Sequence, residues 1–103
     1  MAKVALIAKI VTNEGSRDEA LDVLRGMVAA VEQEAGTEVY VLHTQDDDPN
    51  VIWFYELYTD LSARRAHGAG ETFQSLRSKL SGLTAGPTEV LTLTPLAATG
   101  LDV

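Results

Sequence analysis

The chain has 103 residues, 46% of them hydrophobic, and eight Lys and Arg against 15 Asp and Glu give a net charge of −7. That length supports one domain with a single modest core, and no basic stripe of the kind a nucleic-acid partner needs is present. No apolar run approaches the roughly 20 residues that span a bilayer, and without cysteine there is no disulfide, thiol nucleophile or thiolate metal site.

Met1-Ala2-Lys3-Val4 leads straight into a strand pattern rather than a signal peptide, so a cytoplasmic protein is expected. Lys3 to Val11 alternates Val4, Leu6, Ala8 and Ile10 with Ala5, Ile7, Lys9 and Val11, a first strand that is apolar on both faces. Thr12-Asn13-Glu14-Gly15 is a turn, and Ser16 with Glu19 has the spacing of a capping box. Ala20, Leu21, Leu24, Met27, Val28, Val31 and Ala35 recur at helical spacing, which predicts an amphipathic helix over Arg17 to Ala35 with Gly36 at its stop. Its Met and Leu stripe reads as core.

Glu38 to Gln45 reads as a second strand, and Asp46 to Asn50 as the polar loop of a hairpin. The Asp46, Asp48, Asn50 spacing suggests a calcium loop, but Val51 and Leu57 occupy the glycine and bidentate-glutamate positions. The third strand, Val51 to Tyr58, is the most aromatic stretch of the chain. Val51, Trp53, Tyr55 and Leu57 share one face, and Ile52, Phe54, Glu56 and Tyr58 the other. Both sides therefore expect cover, and Glu56 must find a partner or serve chemistry.

Asp60 or Ser62 is placed to cap a short helix over Leu61 to His67, divided near Gly68-Ala69-Gly70 from a continuation over Glu71 to Leu80. The lone G-x-G follows no strand and is no dinucleotide fingerprint. Thr88 to Thr94 is a final strand, ended by Pro95. The order strand, helix, strand, strand, helix, strand is an α+β, ferredoxin-like βαββαβ arrangement with a four-stranded antiparallel sheet. Residues 1–95 are expected to form the single domain and 96–103 a tail. Two helices cover only one face of such a sheet, so a second copy of the chain is expected on the other, making a homodimer.

Glu34-Ala35-Gly36-Thr37, Tyr40-Val41-Leu42-His43, Asp48-Pro49, Tyr55-Glu56-Leu57-Tyr58, Ala66-His67 and Phe73 follow one another in order and spacing. This set resembles the antibiotic biosynthesis monooxygenase family of dimeric α+β barrels, over roughly residues 3 to 94. Tyr58 stands where members often have Trp, and Thr72 where many have a second His. Haem-degrading relatives have Asn, Trp and His where Ala8 or Lys9, Tyr58 and Arg77 stand here, which argues against haem degradation.

The resemblance implies a small-molecule cleft between sheet and helices, in which a quinol or aromatic polyketide is oxidised by O₂ without flavin, haem or metal. An electron-rich phenol can be its own reductant, so the protein need supply only a base, donors for the anion and a dry aromatic pocket. His67 is the first candidate for base or proton shuttle, since imidazole trades protons near neutrality; the bland alternative is a histidine that fixes the helix break. Glu56 could orient His67 or take the proton itself, or form a structural ion pair with Arg64 or Arg65. Tyr58 could hydrogen-bond a substrate oxygen, and Tyr40, Phe54 and Phe73 are pocket-lining candidates. Trp53 and Tyr55 are assigned to the dimer interface, and His43 to the exposed hairpin end. Distant His43 and His67 make no metal site. The rival reading is a non-catalytic dimeric barrel that binds a small hydrophobic ligand or serves a stress response.

Overall fold

The computed structural model describes residues 2–103. Seven elements follow in order: β1 (Val4–Val11), α1 (Arg17–Val31), β2 (Thr37–Gln45), β3 (Asp48–Tyr58), α2 (Leu61–Ala69), α3 (Glu71–Leu80) and β4 (Glu89–Leu93). The strands form one antiparallel sheet in the order β2-β3-β1-β4, so the two most apolar strands lie centrally. This is the ferredoxin-like α+β arrangement that the element order predicts. Among the described residues no helix is long and apolar enough to cross a membrane.

Register explains which side chains meet. Ala8 pairs with Phe54 on one side and with Val90 on the other, and Phe54 pairs in turn with Leu42. Leu6, Ala8 and Ile10 of β1 thus share a face with Ile52 and Phe54 of β3. That face packs against Ala20, Leu21 and Leu24 of α1 and Leu80 of α3 to form the core. Burying each of the larger aliphatic chains contributes about 1.5–3 kcal/mol.

Four local expectations are corrected. The first helix ends at Val31, not Ala35. The amides of Glu32, Gln33 and Glu34 turn to carbonyls three residues back, at 3.3, 3.2 and 2.9 Å, a tightening that closes helix ends. Ser16 forms no side-chain cap, because its backbone (φ −100°, ψ −1°) already lies in the helical region rather than the extended one a capping side chain needs. The hairpin is also tighter than a five-residue loop. Gln45 pairs with Asp48, leaving Asp46-Asp47 at the tip, and a register shift after Thr44 absorbs the extra residues. Pro49 is tolerated within β3 because β1 begins pairing only at Val51.

The second helical segment runs to Ala69, two residues further than expected, and breaks at Gly70, whose extended backbone (φ −67°, ψ 146°) starts α3. Asp60 is its cap, accepting from the Ala63 amide at 2.8 Å. The opposite sheet face carries Ile7, Lys9, Val41, Trp53, Tyr55, Leu91 and Leu93, with Val41, Leu91 and Leu93 at 41%, 60% and 42% exposure. The tail beyond β4 is exposed, although Lys3 donates to the Asp102 carbonyl and to Glu38.

Candidate active site

A cavity of about 530 Å³ lies between the helix-covered sheet face and the helices. Leu6, Ala8, Phe54, Tyr40 and Glu56 form its sheet wall, while Met27, Arg64, His67, Phe73 and Arg77 close it from the helices. Its size falls in the range of small-molecule sites.

His67 forms part of the helical wall. The imidazole is 4% exposed and sits among three rings, with centroids 5.3 Å from Tyr40, 5.6 Å from Tyr58 and 4.9 Å from Phe73. Its Nδ1 lies 2.9 and 3.2 Å from the two carboxylate oxygens of Glu34. Glu34 Oε1 also accepts from the Thr37 hydroxyl at 2.8 Å. An ionised carboxylate only accepts, so this contact places a proton on Nδ1, and in the neutral imidazole the lone pair is then on Nε2. Nε2 is buried and has no hydrogen-bond partner among the described residues. A buried polar nitrogen left unpaired costs free energy.

The orienting carboxylate is therefore Glu34, and Glu56 does not perform that role. Glu56 is buried and accepts instead from the Tyr58 hydroxyl. The alternative pairing with Arg64 or Arg65 is not formed either: among the described residues neither arginine is in an ion pair. Burial raises the Glu56 carboxyl above its ordinary range, although the Tyr58 hydrogen bond and the charges of His67 and Arg64 pull the other way. Burial likewise pushes the Tyr58 and Tyr40 hydroxyls up, with Glu56 adding to both.

Of the residues expected at the site, His67, Glu56, Tyr40, Phe54 and Phe73 do line the cavity. Tyr58 does not; it is fully buried behind Glu56 with its hydroxyl committed. The Tyr40 hydroxyl donates to Met27 Sδ at 3.0 Å, and its ring packs 4.8 Å from Phe54. Trp53 and Tyr55 lie half-buried on the opposite face, and His43 is exposed at the hairpin end. Among the described residues no cluster of three or more His, Asp or Glu could hold a metal ion.

Glu34 falls in the last turn of the helix predicted over Arg17 to Ala35, and no local pattern pairs it with His67, which is why sequence reasoning misses its role. Gly36 is what lets that turn approach α2. A Cβ there would fall 2.4 Å from Ala63 Cβ, far inside ordinary carbon contact. The Thr59 amide, just before α2, donates to the Gly36 carbonyl at 2.9 Å. The Glu34-to-Thr37 turn is thereby fastened to the segment that carries His67.

Residues 3–79 match the family model described as antibiotic biosynthesis monooxygenase. The chain belongs to that family. Among solved structures, PA3566 from Pseudomonas aeruginosa is similar at 27% identity and a TM-score of 0.87, covering 94% of this chain and 97% of that one. Rv0793 from Mycobacterium tuberculosis aligns at 23% identity and a TM-score of 0.89, over 96% and 100% of the two chains. A crystal structure of an antibiotic biosynthesis monooxygenase gives 23% identity and 0.85, over 91% and 99%. The last two likenesses bear on fold alone. No curated protein matches the chain significantly.

Proposed function

We propose that this antibiotic biosynthesis monooxygenase family member is a homodimeric, cofactor-independent monooxygenase that oxidises a small aromatic quinol or polyketide-like substrate with O₂. The observation that carries this reading is His67, a cavity-lining residue held at Nδ1 by Glu34, whose Nε2 has no hydrogen-bond partner among the described residues. A base so oriented takes a proton from an acidic hydroxyl or ring CH₂ of the substrate, and Glu34 stabilises the imidazolium. The resulting anion passes one electron to O₂. The carbon radical and superoxide couple, and His67 returns its proton to give a hydroperoxide. Loss of water leaves a carbonyl, so one oxygen atom ends in product, one in water, and the substrate supplies all four electrons. Tyr40, Phe54 and Phe73 would flank the ring, and Glu56 with Tyr58 would tune the polarity of the far wall.

The homodimer draws support from the apolar side chains left open on the second sheet face.

Oxygen uptake with hydroquinones and anthrones, measured with chelator and corrected for autoxidation, tests the reaction. His67→Ala should lower saturable uptake by about 10²-fold or more, and Glu34→Gln by a comparable factor, because the amide no longer fixes the Nδ1 tautomer. Uptake indifferent to both changes would remove His67 from the chemistry. A second reading, a non-catalytic barrel binding a small hydrophobic ligand, is favoured by the burial of Tyr58 away from the cavity and by the Tyr58–Glu56 bond. No uptake above autoxidation on any substrate would establish that reading over the first.

A further inference from the structure

The charge of this protein is unevenly spread. Residues 61–80, which hold α2 and α3, carry Arg64, Arg65, Arg77 and Lys79 against Glu71 alone, in a chain whose net charge is −7. The other four basic residues, Lys3, Lys9, Arg17 and Arg25, are each in an ion pair, whereas among the described residues none of the four on α2 and α3 is. Two of these unpaired cations, Arg64 and Arg77, line the cavity. Arg64, His67 and Gly68 fall at helical spacings of three and four, so they share one face of α2. All three line the cavity. The guanidinium lies along the Gly68 backbone, where a Cβ would meet Arg64 Nη1 at 3.6 Å, an ordinary contact. Both carboxylates near the site are already engaged, Glu34 by His67 and Thr37 and Glu56 by Tyr58. Among the described residues the guanidiniums have no such partner.

We propose that the cavity is built for an aromatic acid: the substrate carries a carboxylate on or beside its oxidisable ring, and Arg64 and Arg77 hold that group. A guanidinium presents paired N–H donors that match the two oxygens of a carboxylate. With the acid held one helical turn from His67, the ring lies against Tyr40, Phe54 and Phe73 with its hydroxyl toward Nε2. The cationic surface of α2 and α3 draws an anion toward this mouth despite the negative charge of the whole chain. The reaction in which such a substrate takes part rests on the monooxygenase reading; its binding does not.

The test uses gentisate, a hydroquinone carboxylate, and its uncharged methyl ester, titrated calorimetrically under anaerobic conditions into the full-length protein. The wild type should bind the acid at least about tenfold more tightly than the ester. The Arg64→Gln/Arg77→Gln double variant should bind the two within about twofold, with the fold verified by circular dichroism. Arg64→Lys, which keeps the charge but loses the fork, should retain part of the preference, and added salt should weaken it. Equal binding of acid and ester by wild type, no binding of either, or a preference surviving in the double variant would overturn the proposal. Oxygen uptake on the same pair separates the two readings. Arginine-dependent acid binding without uptake leaves the acid site standing and removes the oxygenase. Uptake without acid preference does the reverse.

Discussion

Gly36→Ala is the substitution through which the site's construction can be measured. The added Cβ would lie 2.4 Å from Ala63 Cβ, about 1 Å short of ordinary carbon contact. Neither side yields easily, since the Gly36 carbonyl is bonded to the Thr59 amide and Ala63 is capped by Asp60. Overpacking of this kind costs about 1–3 kcal/mol. Ala63 and His67 lie one turn apart on α2, so pushing that helix away by about 1 Å also stretches the 2.9 Å Nδ1–Glu34 contact. Losing that bond to a buried imidazole adds about 1 kcal/mol. The total of about 3 kcal/mol corresponds to a fall in Tm of about 15 °C for a domain of this size. Thermal denaturation followed by circular dichroism reads it. Ala63→Gly in the same chain should restore much of the loss, because the new Cβ would then face only the residue 63 Cα, at 3.5 Å. The cycle of single and double variants should give a favourable coupling of about 2–3 kcal/mol, the cost of about 1 kcal/mol for glycine within a helix cancelling because the Ala63→Gly single variant carries it too. If Gly36→Ala costs the same with and without the Ala63→Gly change, the close approach is not what requires glycine.

Glu56→Gln should stabilise the protein relative to wild type increasingly as pH rises above the ordinary carboxylate value of about 4.3. Burial holds the Glu56 proton more tightly in the fold than in the unfolded chain, so the folded state binds more protons in that window and loses stability as pH climbs through it. Thermal midpoints of both proteins across the acidic to neutral range check this, and a constant difference, or one of opposite slope, would contradict it. Tyr55→Glu with Leu91→Glu, which pair across the open sheet face through Ile7, should convert a dimeric wild type into a monomer of about half the mass by light scattering, since unpaired buried charge is costly. A monomeric wild type would refute the homodimer itself.

Most of the fold is legible in the chain. The two-faced apolar pattern of β1 and β3 marks them as central strands, and the helical period of Leu21, Leu24 and Met27 identifies the face that packs on them. Short-range patterns suffice there because side-chain direction follows backbone period alone. His67, Tyr40, Phe54 and Phe73 are legible too, since their residue types announce chemistry or a pocket wall. What pairs with what is not. Glu56 and His67 read as natural partners, yet Tyr58, two residues along the same strand face, takes the Glu56 oxygen. The carboxylate that orients His67 comes from 33 positions away. That pairing depends on α1 ending at Val31, before Glu34, and on Gly36 letting the turn lie against α2, a contact between segments distant in sequence. Sequence by itself determined the elements and the faces they bury, because those follow from local sterics and period. Tertiary structure alone decided which buried polar group answers which, because a carboxylate's partner is set by distance in space.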